Sequence, residues 1–234
     1  MAKGTPALAP SGKIPEKKWK CQGVLEAELR ARGFQHIAGA DEVGRGSLFG
    51  AVVAAAVILS PDAPIRGLND SKQLEAERRE VLAERICERA IAWSIAAVDA
   101  ATIDRINIYQ ASRLAMKNAL AGLATTPHFV LVDAVALDIP IPQQALIQGD
   151  ARCHAIAAAS IIAKVHRDRM MRAWDAFYPE YGLASHKGYH SPEHVAAIRK
   201  YGPTPQHRLS FDPIGETAFF SPLTTTQMEM FAAV

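Results

Sequence analysis

Apolar and polar residues alternate in blocks along the chain, and these blocks predict strands interleaved with helices. An apolar segment at 37–40, a short glycine turn and a second apolar run at 51–59 predict two strands that pair antiparallel, because the turn is too short for a helical crossover. Further strands are expected at 91–98, 128–132 and 145–148, and helices at 19–32, from 70 or 71 to about 90, at 108–123, 151–177 and 192–201. Strands interleaved with helices are typical of a layered α/β fold, here with a mixed five-stranded sheet.

Composition narrows the class of protein. The chain has 234 residues, of which 49% are hydrophobic, enough for the core of one large domain. The formal net charge is only +2, so any contact with nucleic acid must come from a local basic patch. Three cysteines without a CxxC pair indicate a reducing compartment, and the longest apolar stretch, 48–59, is too short to span a bilayer. We therefore expect a cytoplasmic protein without a membrane partner.

The two ends of the chain differ from its middle. Residues 1–17 are rich in Ala, Pro, Gly and Lys and lack the apolar segment of a signal peptide, so we expect a disordered leader. Residues 18–213 carry the periodic pattern and are expected to form one domain. After Pro213 the pattern loosens, and we expect residues 214–234 to form a tail.

Three aspartates, Asp41, Asp133 and Asp150, stand at or just beyond the ends of predicted strands. In an open α/β sheet the strand ends line the ligand crevice, so these distant acids can converge. Each alone has a simpler explanation, since Asp150 fits the N-cap of the following helix and Asp133 fits an ordinary loop acid. The repeated placement favours one shared site.

The acids point to a particular kind of metal. Oxygen ligands without cysteine or histidine suit Mg²⁺ or Mn²⁺ rather than Zn²⁺. Two such ions can activate a water and stabilise the leaving oxygen of a phosphodiester. Glu42 follows Asp41 directly, and neighbouring residues of a regular strand point to opposite faces. We therefore expect Glu42 to act through its carbonyl, through a water, or from a distorted strand.

A glycine turn, Gly44-Arg45-Gly46, follows the acids and lets the backbone approach a ligand closely. A tight turn that needs glycine only for its dihedral angles is the alternative. A dinucleotide-binding fingerprint does not fit, because the third glycine is displaced and a predicted strand, rather than a helix, follows.

Basic residues near the acids are candidates for phosphate contacts. Lys72 lies in the first turn of a predicted helix, where the macrodipole disfavours a cation unless a phosphate compensates it. The long helix carries a run of basic residues, and Lys164 and Arg167 lie closest to its Asp150 end. A solvated cationic face is the simpler interpretation of such a run.

A polar glycine loop contains Lys187 and Tyr189. An aromatic ring in such a loop can stack on a base or a sugar, and an ordinary half-buried tyrosine is the alternative. Three nearby histidines are spaced by four residues, as in some zinc sites, but Gly188 and Pro192 break the helix that this spacing requires. We therefore do not expect zinc at His186, His190 and His194.

Seven segments resemble the ribonuclease HII family, and they occur in the family's order. The segments are GADEVGRGSLFG, LNDSKQL, INIYQASRLAM, VLVDA, GDARCHAIAAASIIAKVHRDRMM, YGLASHKGYHSPEH and GPTPQHRLSF, which cover about residues 37–213. The resemblance implies a ribonuclease H-like three-layer fold with a helical C-terminal extension. It also implies a metal-dependent endonuclease that cuts the RNA strand of RNA–DNA hybrids and the 5′ side of a ribonucleotide embedded in DNA. The products would carry 3′-hydroxyl and 5′-phosphate ends, which suits ribonucleotide and primer removal in DNA replication and repair.

The resemblance also implies roles for particular residues. The family's glycine-arginine-glycine turn would contact the ribose 2′-hydroxyl, which distinguishes RNA from DNA. Its tyrosine would stack at the junction between the ribonucleotide and the neighbouring deoxynucleotide. The expected catalytic residues and ligands of two Mg²⁺ or Mn²⁺ ions are Asp41, Glu42, Asp133 and Asp150. The expected substrate contacts are Gly44, Arg45, Gly46, Ser71, Lys72, Lys164, Lys187 and Tyr189.

Several positions depart from the family's pattern. Ser47 and Phe49 stand where proline and alanine are common, and Ala134 and His190 stand where glycine is common. His166 replaces a hydroxyl residue. None of these changes removes a catalytic group. We expect Phe49 and His190 to lie near the substrate surface, where they would change the preference for the junction.

The tail contains QMEMF, which resembles the short peptide that binds the bacterial sliding clamp. An extended tail with apolar anchors can fill a partner's groove, and a tail helix packed on its own domain is the alternative. The expected clamp contacts are Gln227, Met228, Met230 and Phe231. The sequence thus predicts a monomeric nuclease that binds RNA–DNA hybrids and a clamp. Its rivals are another metal nuclease, which would cut all-DNA substrates, and a non-catalytic nucleic-acid binder.

Overall fold

A mixed five-stranded sheet forms the centre of the protein in the computed structural model, which describes Cys21 and residues 23–215. In the sheet the strands lie in the order β3-β2-β1-β4-β5. Strand β1 pairs antiparallel with β2 and parallel with β4, which confirms the predicted mixed sheet. The strands are β1 Ile37–Val43, β2 Val52–Leu59, β3 Ala90–Val98, β4 Phe129–Asp133 and β5 Gln143–Leu146.

Helices cover both faces of the sheet. They are α1 Val24–Ala31, α2 Ala76–Arg89, α3 Ala100–Ile106, α4 Ile108–Ala121, α5 His154–Phe177, α6 Leu183–His186 and α7 Pro192–Tyr201. Helix α4 packs on one face, against alternate residues of β1 and β2, and helices α2 and α5 pack on the other face. Strand β2 is therefore buried on both sides, which explains its uninterrupted apolar sequence. No helix within the described residues is long and apolar enough to cross a membrane.

The sequence placed most elements correctly but misjudged two regions. The helix expected from residue 70 or 71 is split, because Leu74 is extended between a short 3-10 turn, Ser71–Gln73, and α2. Helix α3 was not predicted, since its seven residues are too few for a periodic signal; Asp99 caps it by accepting from the Thr102 N–H. The predicted leader and tail, including the clamp-binding segment 227–231, lie outside the described residues.

Candidate active site

Three parallel strands bring four acids to one edge of the sheet. Asp41 and Glu42 lie near the end of β1, and Asp133 is the last residue of β4. Asp150 lies in the 3-10 turn Gly149–Ala151, after β5 and just before α5. The Gly149 N–H donates to Asp133 Oδ1 at 2.8 Å, so the Asp150 turn is fixed directly against the end of β4. The carboxyl ends of neighbouring parallel strands are where α/β proteins form their ligand sites.

Burial and the charges of neighbouring acids raise the pKa values of the three aspartates, Asp41, Asp133 and Asp150. Asp41 is only 6% exposed, and its burial, with the charges of Glu42 and Asp133, raises its pKa well above the ordinary value, although a Ser160 hydroxyl bond opposes the shift. Burial, followed by repulsion from the charges of Asp70 and Asp133, raises the pKa of Asp150 to about 6. The pKa of Asp133 is also raised, mainly by burial. Ionising this cluster without a counter-charge is therefore unfavourable.

The chemistry of the cluster fits a divalent cation. Its side-chain donors are all carboxylate oxygens, which suit Mg²⁺ or Mn²⁺. One oxygen of each aspartate accepts a backbone N–H, at 2.7 Å for Asp41, 2.8 Å for Asp133 and 2.9 Å for Asp150. Glu42 Oε2 is buried without a hydrogen-bond partner, an arrangement that a cation would relieve. Within the described part of the chain, however, no three such side chains are already arranged as a ligand set.

Strand β1 is regular where it carries the first two acids. Asp41 pairs with Ala55 and Glu42 with Ala54, without a break in register. The distortion that would turn both side chains to one face is therefore absent from this pairing. Glu42 Oε1 instead lies 3.2 Å from Arg45 Nη1, in an ion pair across the glycine turn.

The glycine turn lies directly on a buried arginine. Gly44 has φ of 89°, and a Cβ there would stand 2.1 Å from Arg167 Nε, so only glycine fits. Arg208 holds the turn from a second direction, since its Nη1 donates to the Arg45 carbonyl at 2.7 Å. The Arg45 side chain itself stays 42% exposed. The turn thus combines a fixed backbone with an accessible guanidinium.

Arg167 is not at the surface, contrary to its interpretation as a phosphate contact. It is fully buried, and its Nη2 donates to Ser47 Oγ at 2.7 Å and to the Phe49 carbonyl at 3.2 Å. Its Nη1 donates to the Lys187 carbonyl at 3.0 Å, and its guanidinium lies 5.2 Å from the Tyr189 ring centre. Because one side chain contacts both loops, Arg167 joins the segment after the glycine turn to the tyrosine loop.

The Ser71–Gln73 turn places its two candidates differently. Lys72 is exposed beside the acids. Partial burial of its ammonium group would lower its pKa, but Asp150 and Asp70 raise the pKa above the ordinary value. Ser71 is buried, and its hydroxyl lies 2.9 Å from Ser160 Oγ, so its side chain supports the interior instead of facing a substrate. Lys72 is therefore the accessible cation of this turn.

The other two candidate lysines already have partners. Lys164 Nζ forms an ion pair with Asp168 Oδ1 at 2.7 Å, one helical turn along α5. Lys187 Nζ donates to the Ala184 carbonyl, and its own backbone adopts a left-handed conformation with φ of 54°. A phosphate contact by either lysine would compete with these bonds.

The expected surface position of Phe49 is wrong. Phe49 is fully buried, with its ring edge-on to those of Trp174, Tyr178 and His207. His190 is exposed, as expected. The sequence also gave no indication of the supporting roles of Ser160 and Arg208, whose partners lie far away along the chain. Only the proximity of Arg208 to a conspicuous histidine-rich segment could have drawn attention to it.

A comparison with known proteins decides the family. The family model described as Ribonuclease HII matches residues 38–214, which include all four acids, the glycine turn and the tyrosine loop. This chain belongs to the ribonuclease HII family. It is accordingly a ribonuclease H, an endonuclease that acts on RNA–DNA hybrids.

Individual relatives agree with this membership. A ribonuclease HII of Solibacter usitatus (strain Ellin6076) is 66% identical over 214 residues, which cover 92% of this chain and 94% of the relative. The structure of ribonuclease H2 from Pyrococcus horikoshii OT3 is 26% identical with a TM-score of 0.65, over 77% of this chain and 95% of that one. Ribonuclease HII of Archaeoglobus fulgidus, solved in a complex with PCNA, is 24% identical with a TM-score of 0.65, over 82% of this chain and 98% of that one. The predicted ribonuclease H-like fold is confirmed.

Proposed function

We propose that this ribonuclease H cuts the RNA strand of hybrids and also cuts duplex DNA on the 5′ side of a single embedded ribonucleotide. The products would carry 3′-hydroxyl and 5′-phosphate ends. The observation that carries the proposal is the adjacency of the four acids to the glycine turn, linked by the 3.2 Å ion pair between Glu42 and Arg45. Arg45, which would recognise the ribose, would then lie beside the acids that hydrolyse the phosphodiester.

Asp41, Glu42, Asp133 and Asp150 would hold two Mg²⁺ or Mn²⁺ ions. When bound, the ions would supply an activated water and stabilise the leaving oxygen of the phosphodiester. The role of the four acids is to bind the ions through oxygen and to relieve their own repulsion by doing so. Lys72, which is exposed and whose pKa the acids raise above its ordinary value, would neutralise a phosphate at the same edge.

The accessible turn and the tyrosine loop would recognise the junction. Arg45 and the glycines beside it would contact the ribose 2′-hydroxyl, the group that distinguishes RNA from DNA. Arg167 lies over one face of the half-buried Tyr189 ring, and the opposite face would stack on the neighbouring deoxynucleotide. Such recognition suits the removal of ribonucleotides and RNA primers from replicating DNA in the cytoplasm.

The catalytic activity is assigned to residues 18–213 acting as a monomer, and clamp binding to the tail. The support for clamp binding is the peptide QMEMF, with Gln227, Met228, Met230 and Phe231 as contacts. Deleting residues 227–234 should abolish capture by a bacterial sliding clamp and leave hydrolysis of naked substrate unchanged. Unchanged capture by the clamp would remove this part of the proposal.

The decisive experiment uses an end-labelled DNA duplex with one ribonucleotide, incubated with Mg²⁺, Mn²⁺ or EDTA. We expect one cut on the 5′ side of the ribonucleotide, none in EDTA, and none in the matched all-DNA duplex. Asp138→Asn is the control, because the Asp138 side chain is 93% exposed and should not affect cleavage. Equal cutting of the all-DNA duplex would contradict ribose recognition, and cutting in EDTA would contradict the metal site.

A further inference from the structure

Two buried histidines beside the tyrosine loop have no part in the acid cluster. His194 lies in α7 and is fully buried, and His207 lies in the segment after α7 and is 1% exposed. Their ring centres are 5.4 Å apart, and the His186 ring stacks on that of His194 with 4.4 Å between the ring centres. A buried imidazole is unfavourable unless its ring nitrogens have hydrogen-bond partners. The partners of these two rings therefore indicate their role.

The hydrogen bonds fix the proton on each ring. The Thr204 N–H donates to His207 Nδ1 at 2.9 Å, so the proton of His207 is on Nε2. His207 Nε2 lies 3.2 Å from His194 Nε2, which must therefore accept, leaving the proton of His194 on Nδ1. His194 Nδ1 lies 3.0 Å from the Tyr189 carbonyl oxygen, which can only accept. A directed chain thus runs from Thr204 through both imidazoles to the backbone of Tyr189.

Residues 206–207 also contact residues 49–50, which follow the glycine turn. His207 forms an isolated β-bridge with Phe49, and its ring meets the Phe49 ring edge-on at 4.9 Å. The Gly50 N–H donates to the Gln206 carbonyl at 2.7 Å. The histidine pair therefore connects the backbone of Tyr189 to residues 49–50, between the glycine turn and β2.

We propose that His194 and His207 are positioning residues that hold Tyr189 at a fixed distance from the turn 44–46 and so set the affinity for the ribonucleotide junction. The inference rests on the proposed stacking role of Tyr189. A loop that is rigid before binding loses less conformational freedom when it meets the substrate, so its loss should appear as weaker binding. Metal bridging by the pair is not supported, because within the described residues no third ligand is arranged with them.

Three variants separate the links of the chain. His194→Asn places an amide where Nδ1 was, so it can keep the bond to Tyr189 but cannot reach His207. His207→Asn can keep the bond to Thr204 but loses the donor to His194. His194→Phe keeps the ring shape and loses both bonds. The control is His128→Phe, since His128 accepts from the Gln35 and His36 N–H groups at the start of β4, the opposite edge of the sheet.

We expect a split between KM and kcat on the single-ribonucleotide duplex. His194→Phe should raise KM about fivefold to tenfold, because it removes the one hydrogen bond that holds the Tyr189 carbonyl, while kcat stays within about twofold. His194→Asn should restore most of the affinity, and His128→Phe should change neither constant. If His194→Phe does not fold, His207→Asn takes its place, and it should raise KM relative to His128→Phe.

A second measurement tests the geometry without relying on activity. Nitrogen-15 NMR of the histidine side chains should show His207 protonated at Nε2 and His194 at Nδ1; the opposite tautomers would overturn the inference. Unchanged KM in the His194 and His207 variants beside a raised KM in Tyr189→Ala would overturn the inference alone. Unchanged KM in all of them would overturn the role of Tyr189, and the inference with it.

Discussion

The Arg167 guanidinium lies 5.2 Å from the centre of the Tyr189 ring and, at the same time, 2.7 Å from Ser47 Oγ. One buried side chain of α5 thus contacts the tyrosine loop and the segment after the glycine turn. Ser47 stands where proline is common in the family, and its hydroxyl gives Arg167 an acceptor that proline lacks. In this protein the two loops that we assign to junction recognition share one support.

Replacing Arg167 with lysine tests this support. Lysine keeps the charge but not the planar fork, so it cannot serve Ser47, Phe49 and Lys187 together. We expect Arg167→Lys to lower the free energy of unfolding by about 2 kcal/mol, measured in urea. The control is Arg169→Lys on the same helix, because Arg169 is half-exposed and pairs only with Glu80 among the described residues; its effect should stay within about 1 kcal/mol. Equal effects of both changes would contradict the assignment.

Removing the charge of Asp41 should separate stability from activity. The raised pKa of Asp41, caused first by burial and then by Glu42, means that the ionised group destabilises the metal-free fold at neutral pH. Asp41→Asn should therefore melt at a higher temperature in EDTA and lose the stabilisation that Mn²⁺ gives the wild type. Turnover should fall by about 10³-fold or more, the equivalent of several kcal/mol. Wild-type turnover in this variant would remove Asp41 from the mechanism.

The buried histidines predict sensitivity to acid. Burial, with the nearby His194, lowers the pKa of His207 to about 3, while the unfolded chain takes up the proton near pH 6.5. Between these values the unfolded state binds more protons, so stability falls as the pH falls below about 6.5. From pH 7 to pH 5 this one group should remove about 2 kcal/mol of unfolding free energy. Urea unfolding of His207→Asn should show a smaller loss over the same interval, and an equal loss would contradict the assignment.

Ala134 should be a site where glycine stabilises. It follows Asp133 directly and has φ of 56°, a left-handed conformation that strains any residue with a Cβ. We expect Ala134→Gly to raise the free energy of unfolding by about 1 kcal/mol. Ala173→Gly, at an exposed helical position in α5, should instead lower it by about 1 kcal/mol. Destabilisation by both changes would show that Ala134 is not strained.

The sequence was sufficient for the sheet and for the grouping of the acids. Runs of apolar residues located β1, β2 and β4, and the rule that strand ends form the ligand crevice then brought Asp41, Asp133 and Asp150 together. The short connection between β1 and β2 was enough to predict their antiparallel pairing. These inferences succeed because each depends on local pattern or on chain connectivity.

The supporting residues could not be predicted in the same way. A basic residue on a charged helix normally faces solvent, yet Arg167 is buried because its acceptors come from positions 47, 49 and 187. Phe49 was expected near the substrate surface, but it is fully buried and its ring packs against Trp174. Apart from the contact with Lys187, both outcomes depend on contacts between residues more than 100 positions apart, which no local pattern encodes.

The central claim is that the four acids form the metal site that cuts the nucleic acid. The most direct measurement is an anomalous difference map from crystals grown with Mn²⁺ and a duplex that carries one ribonucleotide. We predict manganese peaks at coordination distance from Asp41, and from Asp133 or Asp150, beside the phosphate on the 5′ side of the ribonucleotide. Manganese bound elsewhere in an active crystal, or a cleaved duplex with no peak at these acids, would contradict the account.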